Sequence, residues 1–402
     1  MSVQAKSRLS SLARNLSESE TLKMAQMARD LRAKGHDVIS LSIGEPDFDT
    51  PDHIKMAAVK ALTEGFTKYT PVPGIPDLLD AISKKFKRDN DLDYAPNQII
   101  VSNGAKQSIS NVAFALLEAG DECIIFAPYW VSYIEIVRMT GATPVIVKAG
   151  VEQDFKVTAK QVEAAITEQT KMVLFSSPCN PSGSVFDKSE LREIAEVIAK
   201  HEDIIIVSDE IYEYINYVGA NTSIGAFDIV RNQTVTVNGF AKGFAMTGWR
   251  LGYIGAPKWI TDACNKIQGQ YTSGANSFSQ KAAVVALNSP LDETWKMRDQ
   301  FKVRRDMVVG LMSEIPGFKV PNPQGAFYVF PDISAYFGKA DGDIVIKNAD
   351  DFCDYIMTSV YVGLVSGSAF GDPDCFRLSY AASETQLREA IRRIKEACEK
   401  LK

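Results

Sequence analysis

The chain has 402 residues, 46% hydrophobic and 23% charged, the composition of an ordinary globular protein with room for a large core domain and a smaller companion. A net charge of −6 and a pI near 5.4 disfavour nucleic acid as a partner, since phosphate-backbone affinity comes from many Lys and Arg contacts. The six cysteines stand far apart, the opening MSVQAKSRLS has no apolar core, and no stretch approaches about 20 apolar residues, so the expectation is a cytoplasmic protein without disulfides, metal site or membrane span.

In chain order, TLKMAQMARDLRAKG (residues 21–35) predicts a helix. From Asn97 to Ala256 short β-rich runs alternate with helical stretches: QIIVSNG, DECIIFAP, TPVIVKA, KMVLFSSP, DIIIVSDE, TVTVNGF and RLGYIGA. This is how a buried, mostly parallel sheet with helices on both faces reads. The last hundred residues mix helices with the strand-like GAFYVFPDI and CFRLSYA. The expected fold is therefore α/β: a large domain (48–299) with a mostly parallel seven-stranded sheet between helices, and a smaller α/β domain from segments 1–47 and 300–402.

Ligands of open α/β sheets collect beyond the carboxyl ends of the strands, so the polar residues after each apolar run are the candidates for chemistry. In VSNGAKQSISNVAFALL a strand, a glycine turn and a helix follow one another. Unpaired N–H groups and the helix dipole at such a junction suit a phosphate, cradled by the backbones of Gly104, Ala105 and Lys106. In SDEIY an acidic residue ends the apolar run DIIIV, which is costly unless the acid is paired. In NGFAKGFAMTGWRLGY (238–253) one lysine, Lys242, follows the strand TVTV, where desolvation favours the neutral, nucleophilic amine. Arg250 lies eight positions on and offers a planar fork for phosphate. Each feature also has a bland reading: a solvated lysine, a helix cap, an ordinary turn. The three histidines (His36, His53 and His201) lie in no motif that suggests chemistry, which leaves proton transfer to Lys, Tyr or a carboxylate.

Residues 239–252 match throughout the pattern small, apolar, small, Lys, two free, small, apolar, free, Gly, free, Arg, apolar, Gly, and so the sequence resembles the class I and II aminotransferases, the fold-type I pyridoxal-phosphate enzymes. The likeness runs from GEPDFDTP near residue 44 to FRLSYA near residue 376. With PYWVSY and MTGWRLGY, it is most similar to the bacterial and plastid aspartate and aspartate/prephenate subgroup. The resemblance implies pyridoxal 5′-phosphate held by Lys242 as a Schiff base, with Lys242 also the general acid/base. It implies Asp209 at the ring nitrogen, Tyr212 and Asn180 at the phenolic oxygen, and Trp130 over the ring. Phosphate contacts fall to the Gly104 turn, Arg250 and, from a neighbouring subunit, Tyr69, hence a homodimer with shared active sites. Substrate contacts fall to Arg377, Gly44 and Asn180 for the α-carboxylate, with Trp130 alongside, and to Lys106 for a distal carboxylate.

The implied reaction moves an amino group between aspartate or glutamate and a 2-oxo acid. Thr21 with Lys106 also matches relatives that accept prephenate, so a prephenate or aromatic aminotransferase is the alternative. A carbon–sulfur β-lyase and a cofactor-binding regulatory module are the remoter ones. One departure stands out: relatives often carry serine three residues or one residue before the lysine, where this chain has Gly239 and Ala241.

Overall fold

A computed structural model describes residues 8–402. Seven strands form one sheet: β1 (Ile99–Ser102), β2 (Glu122–Ala127), β3 (Thr143–Lys148), β4 (Thr170–Ser176), β5 (Ile205–Asp209), β6 (Thr234–Gly239) and β7 (Gly252–Gly255). Their spatial order is β1-β7-β6-β5-β4-β2-β3. All neighbours are parallel except β7, which runs antiparallel to both β1 and β6. Each of the seven β-rich runs thus became a strand, and the expected mostly parallel sheet is present.

Alternate residues of a strand point to opposite faces, and both faces here are covered. In β4, Met172 and Leu174 join one apolar cluster with Val112, Val137 and Ile260. Between them, Val173 and Phe175 pack on Leu191, Ile194 and Ile198 of the helix Lys188–Ile198. In the edge strand β3 only Val147 is buried, because one of its sides has no neighbour.

The smaller α/β part is built from both chain ends. Ile39–Ser40 pairs in parallel with Val362–Gly363, and the Ser379 amide donates to the Leu41 carbonyl. Tyr328–Val329, Phe376–Ser379 and Val365–Ser366 make a three-stranded antiparallel sheet. Leu41 shares an apolar core with Phe301, Phe352, Leu378 and Ile394, so the N-terminal segment is held by side chains more than 250 positions downstream. The helix expected over 21–35 spans Glu20–Ala33. All six cysteines are buried free thiols. Among the described residues no helix is long and apolar enough to cross a membrane.

Candidate active site

The carboxyl ends of β1, β4, β5 and β6 open into a cavity of about 300 Å³ that also reaches the GEP turn at Gly44, Trp130 and Arg377. Its glycine turn is forced by close contacts. Gly104 has φ +87° and a Cβ there would lie 2.4 Å from Arg250 Nη2. A Cβ on Gly252 would lie 2.2 Å from the Ala105 nitrogen. Bare backbone at 104 and 252 therefore lets the helix Ala105–Leu116 begin directly above the sheet. Gly104 N–H bonds the Ser102 carbonyl at 2.8 Å, whereas the first-turn N–H groups of Ala105 and Lys106 have no carbonyl within the helix to meet. The Ser102 hydroxyl turns away and donates to Gln268 Oε1 at 2.6 Å.

Arg250 itself sits in the left-handed region (φ 56°), and its Nη1 donates to the Thr247 carbonyl at 2.9 Å. This aims the fork at the Gly104 turn. Thr247 Oγ1 in turn donates to Glu45 at 3.1 Å.

Lys242 Nζ lies inside the cavity and donates to the Gly44 carbonyl at 2.5 Å. Burial, then the charge of Arg377, lower its pKa to about 8. Gly239, three residues before it, faces Gly252 across the β6–β7 pair. A Cβ at Gly239 would meet the Gly252 Cα and the Leu251 carbonyl at 3.0 Å each, so in this chain the departure from serine goes with close strand packing.

Asp209 ends β5, only 4% exposed. Burial raises its carboxyl to about 6, opposed by a hydrogen bond from Tyr133. The Tyr133 hydroxyl reaches Oδ2 at 2.6 Å and the Ile211 amide reaches Oδ1 at 3.2 Å. The residues that alternate with Asp209 and Tyr212 enter a buried polar cluster instead. Asn90 Nδ2 donates to Glu210 at 3.2 Å and to Glu213 at 2.8 Å, and Lys85 forms an ion pair with Glu213. Anchored at those positions, the turn has little freedom to move its two cavity-facing side chains.

On the far wall Arg377, 2% exposed, donates from Nη1 to Asn180 Oδ1 at 2.9 Å and from Nη2 to the Ser42 carbonyl at 2.5 Å. Its buried Nε has no partner. Nearer the mouth, Lys106 Nζ lies 5.0 Å from the Trp130 ring centroid. Burial first and Arg250 second lower the Lys106 pKa. Thr21 also lines the cavity.

The structure thus brings together Gly44, Gly104, Ala105, Lys106, Trp130, Asn180, Asp209, Tyr212, Lys242, Arg250 and Arg377 around one space. Tyr69 is not among them: its side chain is 99% exposed. Among the lining residues that were not singled out from sequence are Tyr133 and Tyr328. Tyr133 could have been found by its helical spacing from Trp130, but Tyr328 lies in the apolar run GAFYVFP, where an aromatic residue reads as core.

A doubly covered, mostly parallel sheet with a half-buried lysine and a buried carboxylate at its strand ends is the arrangement of the α/β enzymes of fold type I. The family model for class I and II aminotransferases matches residues 36–394, and the chain belongs to that family. Its members depend on pyridoxal phosphate, which is the cofactor of this enzyme. The chain is 47% identical over 394 residues, 97% of its own length and 82% of the relative's, to the bifunctional aspartate aminotransferase and glutamate/aspartate-prephenate aminotransferase of Petunia hybrida. Among solved structures it is similar to the aspartate aminotransferase of Rhizobium meliloti (TM-score 0.95, 41% identity, covering 98% of this chain and 100% of that one). It is also similar to the Thermus thermophilus aspartate aminotransferase solved with maleate (TM-score 0.91, 38% identity, covering 97% and 99%).

Proposed function

We propose that the protein is a transaminase for aspartate or glutamate with a 2-oxo acid partner, and that the residues around the cavity carry the roles expected from sequence. The observation that carries this reading is a single cavity holding Lys242, Asp209, Arg377 and Lys106 together.

The donor set suits the cofactor. Arg250 and the unpaired N–H groups of Ala105 and Lys106 are a phosphate site, Asp209 is a buried carboxylate for a cationic ring nitrogen, and Lys242 is an amine made nucleophilic at neutral pH. Pyridoxal phosphate supplies an aldehyde carbon and an electron-withdrawing ring that accepts the electron pair left at the substrate Cα. Lys242 Nζ would anchor the cofactor and, once freed, would carry the proton taken from the substrate Cα. A pKa near 8 suits both halves of that task, since a base and acid near the working pH is efficient in each direction. Asp209 would hold the ring nitrogen protonated. Tyr212 and Asn180 would hydrogen-bond the phenolic oxygen, and Trp130 would wall the ring. Arg377 grips the substrate α-carboxylate, with Asn180 and the Gly44 backbone beside it.

Lys106 is the cation for the distal carboxylate. Its amine stands over Trp130 at the cavity mouth, and the Thermus relative solved with maleate holds a dicarboxylate. A charge-assisted contact contributes about 1.5–3 kcal/mol, so Lys106→Ala should lower kcat/KM for aspartate by roughly 10- to 150-fold. Alanine as donor should change far less, whereas Arg377→Ala should damage every amino acid. Equal losses for aspartate and alanine at saturating cofactor would show that Lys106 does not read the side chain. Prephenate is the alternative acceptor, for which Thr21 also lines the cavity. The Petunia relative, named for both activities, supports that reading.

The exposed Tyr69 completes the phosphate site of a second subunit in a homodimer. Mixing Lys242→Ala subunits with Tyr69→Phe subunits should give hybrids with one intact site and one doubly defective site. Activity should exceed that of either parent, and verified exchange without a gain would mean that each site is built within one chain. The chain divides into a large part, 48–299, and a small part, 1–47 with 300–402, and the helix Asp292–Ser313 runs through the second boundary.

A further inference from the structure

Tyr328 has no part in the reading above, yet it lies at the junction of three groups that do. It is fully buried on the short strand Tyr328–Val329. Its hydroxyl is 2.7 Å from that of Tyr212, and its ring centroid is 4.6 Å from the Arg377 Cζ. A Cβ on Gly44 would come within 2.3 Å of the same hydroxyl, so Tyr328 Oη rests against the turn whose carbonyl holds Lys242.

Resting on the proposed contact between Tyr212 and the phenolic oxygen, we propose that Tyr328 is a positioning residue that donates its proton to Tyr212 and thereby leaves the Tyr212 proton free for the cofactor. A phenol has one proton to give. If Tyr212 gives its own to Tyr328, none is left for the cavity; if Tyr328 donates, Tyr212 accepts from behind and donates forward. Tyr212 is the one hydrogen-bond partner of the Tyr328 hydroxyl among the described residues. An acceptor in front of Tyr212 therefore fixes the direction of the pair. Burial raises the Tyr328 pKa and the nearby Arg377 charge partly offsets that rise. Hydrogen bonds in series polarise one another, so Tyr212 becomes a better donor than a lone tyrosine in its place.

The test reads the visible absorbance of the lysine-bound cofactor against pH. The less an oxygen is relieved of negative charge by Tyr212, the more it holds a proton on the neighbouring lysine-derived nitrogen, and the higher the midpoint. Tyr212→Phe should raise the midpoint most. Tyr328→Phe keeps the ring against Arg377 and should raise it by a smaller amount, on the order of half a pH unit. The double variant should match Tyr212→Phe alone, because Tyr328 acts only through Tyr212.

A Tyr328→Phe midpoint unchanged or lowered, with Tyr212→Phe raised, would overturn the proposal while leaving the Tyr212 contact intact. So would a double variant whose shift is the sum of the two. If Tyr212→Phe itself leaves the midpoint in place, the Tyr212 contact fails and this inference fails with it.

Discussion

Lys242→Ala should reduce turnover by at least about 10⁴-fold, the upper end of what one general acid/base contributes, because the same side chain also anchors the cofactor. The loss should be kinetic rather than structural: Arg250, Asp209 and the Gly104 turn remain, so cofactor should still bind without a covalent link. Borohydride reduction of the wild type followed by peptide mapping should place the pyridoxyl group on Lys242, and label on another lysine would remove it from the mechanism. The depressed pKa gives a pH signature as well. With a value of about 8, roughly a tenth of the amine is neutral at pH 7, against well under a thousandth for an ordinary lysine. Capture of the aldehyde by cofactor-free protein should accelerate with rising pH up to about 8 and level off near 9. A rate still climbing toward pH 10.5 would mean that the cavity does not depress the amine.

Asp209→Ala should lower the amino-acid half-reaction by roughly 150- to 5000-fold. Removing one partner of a buried ion pair costs about 3–5 kcal/mol. Here that loss falls on the step in which negative charge develops at Cα, so a substrate deuterated at Cα should show a larger isotope effect than in the wild type. Asp209→Asn tests the same point with the shape kept, because the amide accepts the Tyr133 hydrogen bond but cannot hold a cationic ring nitrogen. Near-normal turnover in both variants, measured in a single half-reaction at saturating cofactor, would show that the electron sink does not depend on this carboxylate.

Much of this architecture could be read from the chain because local chemistry determines it. Apolar β-rich runs buried on both faces, such as Met172–Phe175 and Ile204–Val207, encode strands of a covered sheet whatever their partners. Gly104 before a helix, Asp209 after DIIIVS and Lys242 after TVTVNGFA are placed by the strands they follow. Strand ends, once recognised, therefore locate the candidate site.

What the chain by itself could not determine is everything that joins distant segments. No local pattern orders the strands β1-β7-β6-β5-β4-β2-β3 or turns β7 against both of its neighbours. Arg377 meets Asn180 and Tyr328 meets Tyr212 across the two parts, while Tyr133 reaches Asp209 from 76 positions earlier in the chain. The same holds for charge: the amine of Lys242 and the carboxyl of Asp209 are shifted chiefly by burial. The sequence determined the strands and the residues at their ends, since those follow from the side chains of a few neighbouring positions. Only the tertiary structure decided which of those residues share a cavity and how they are charged, because desolvation and long-range hydrogen bonds exist only after packing has excluded water.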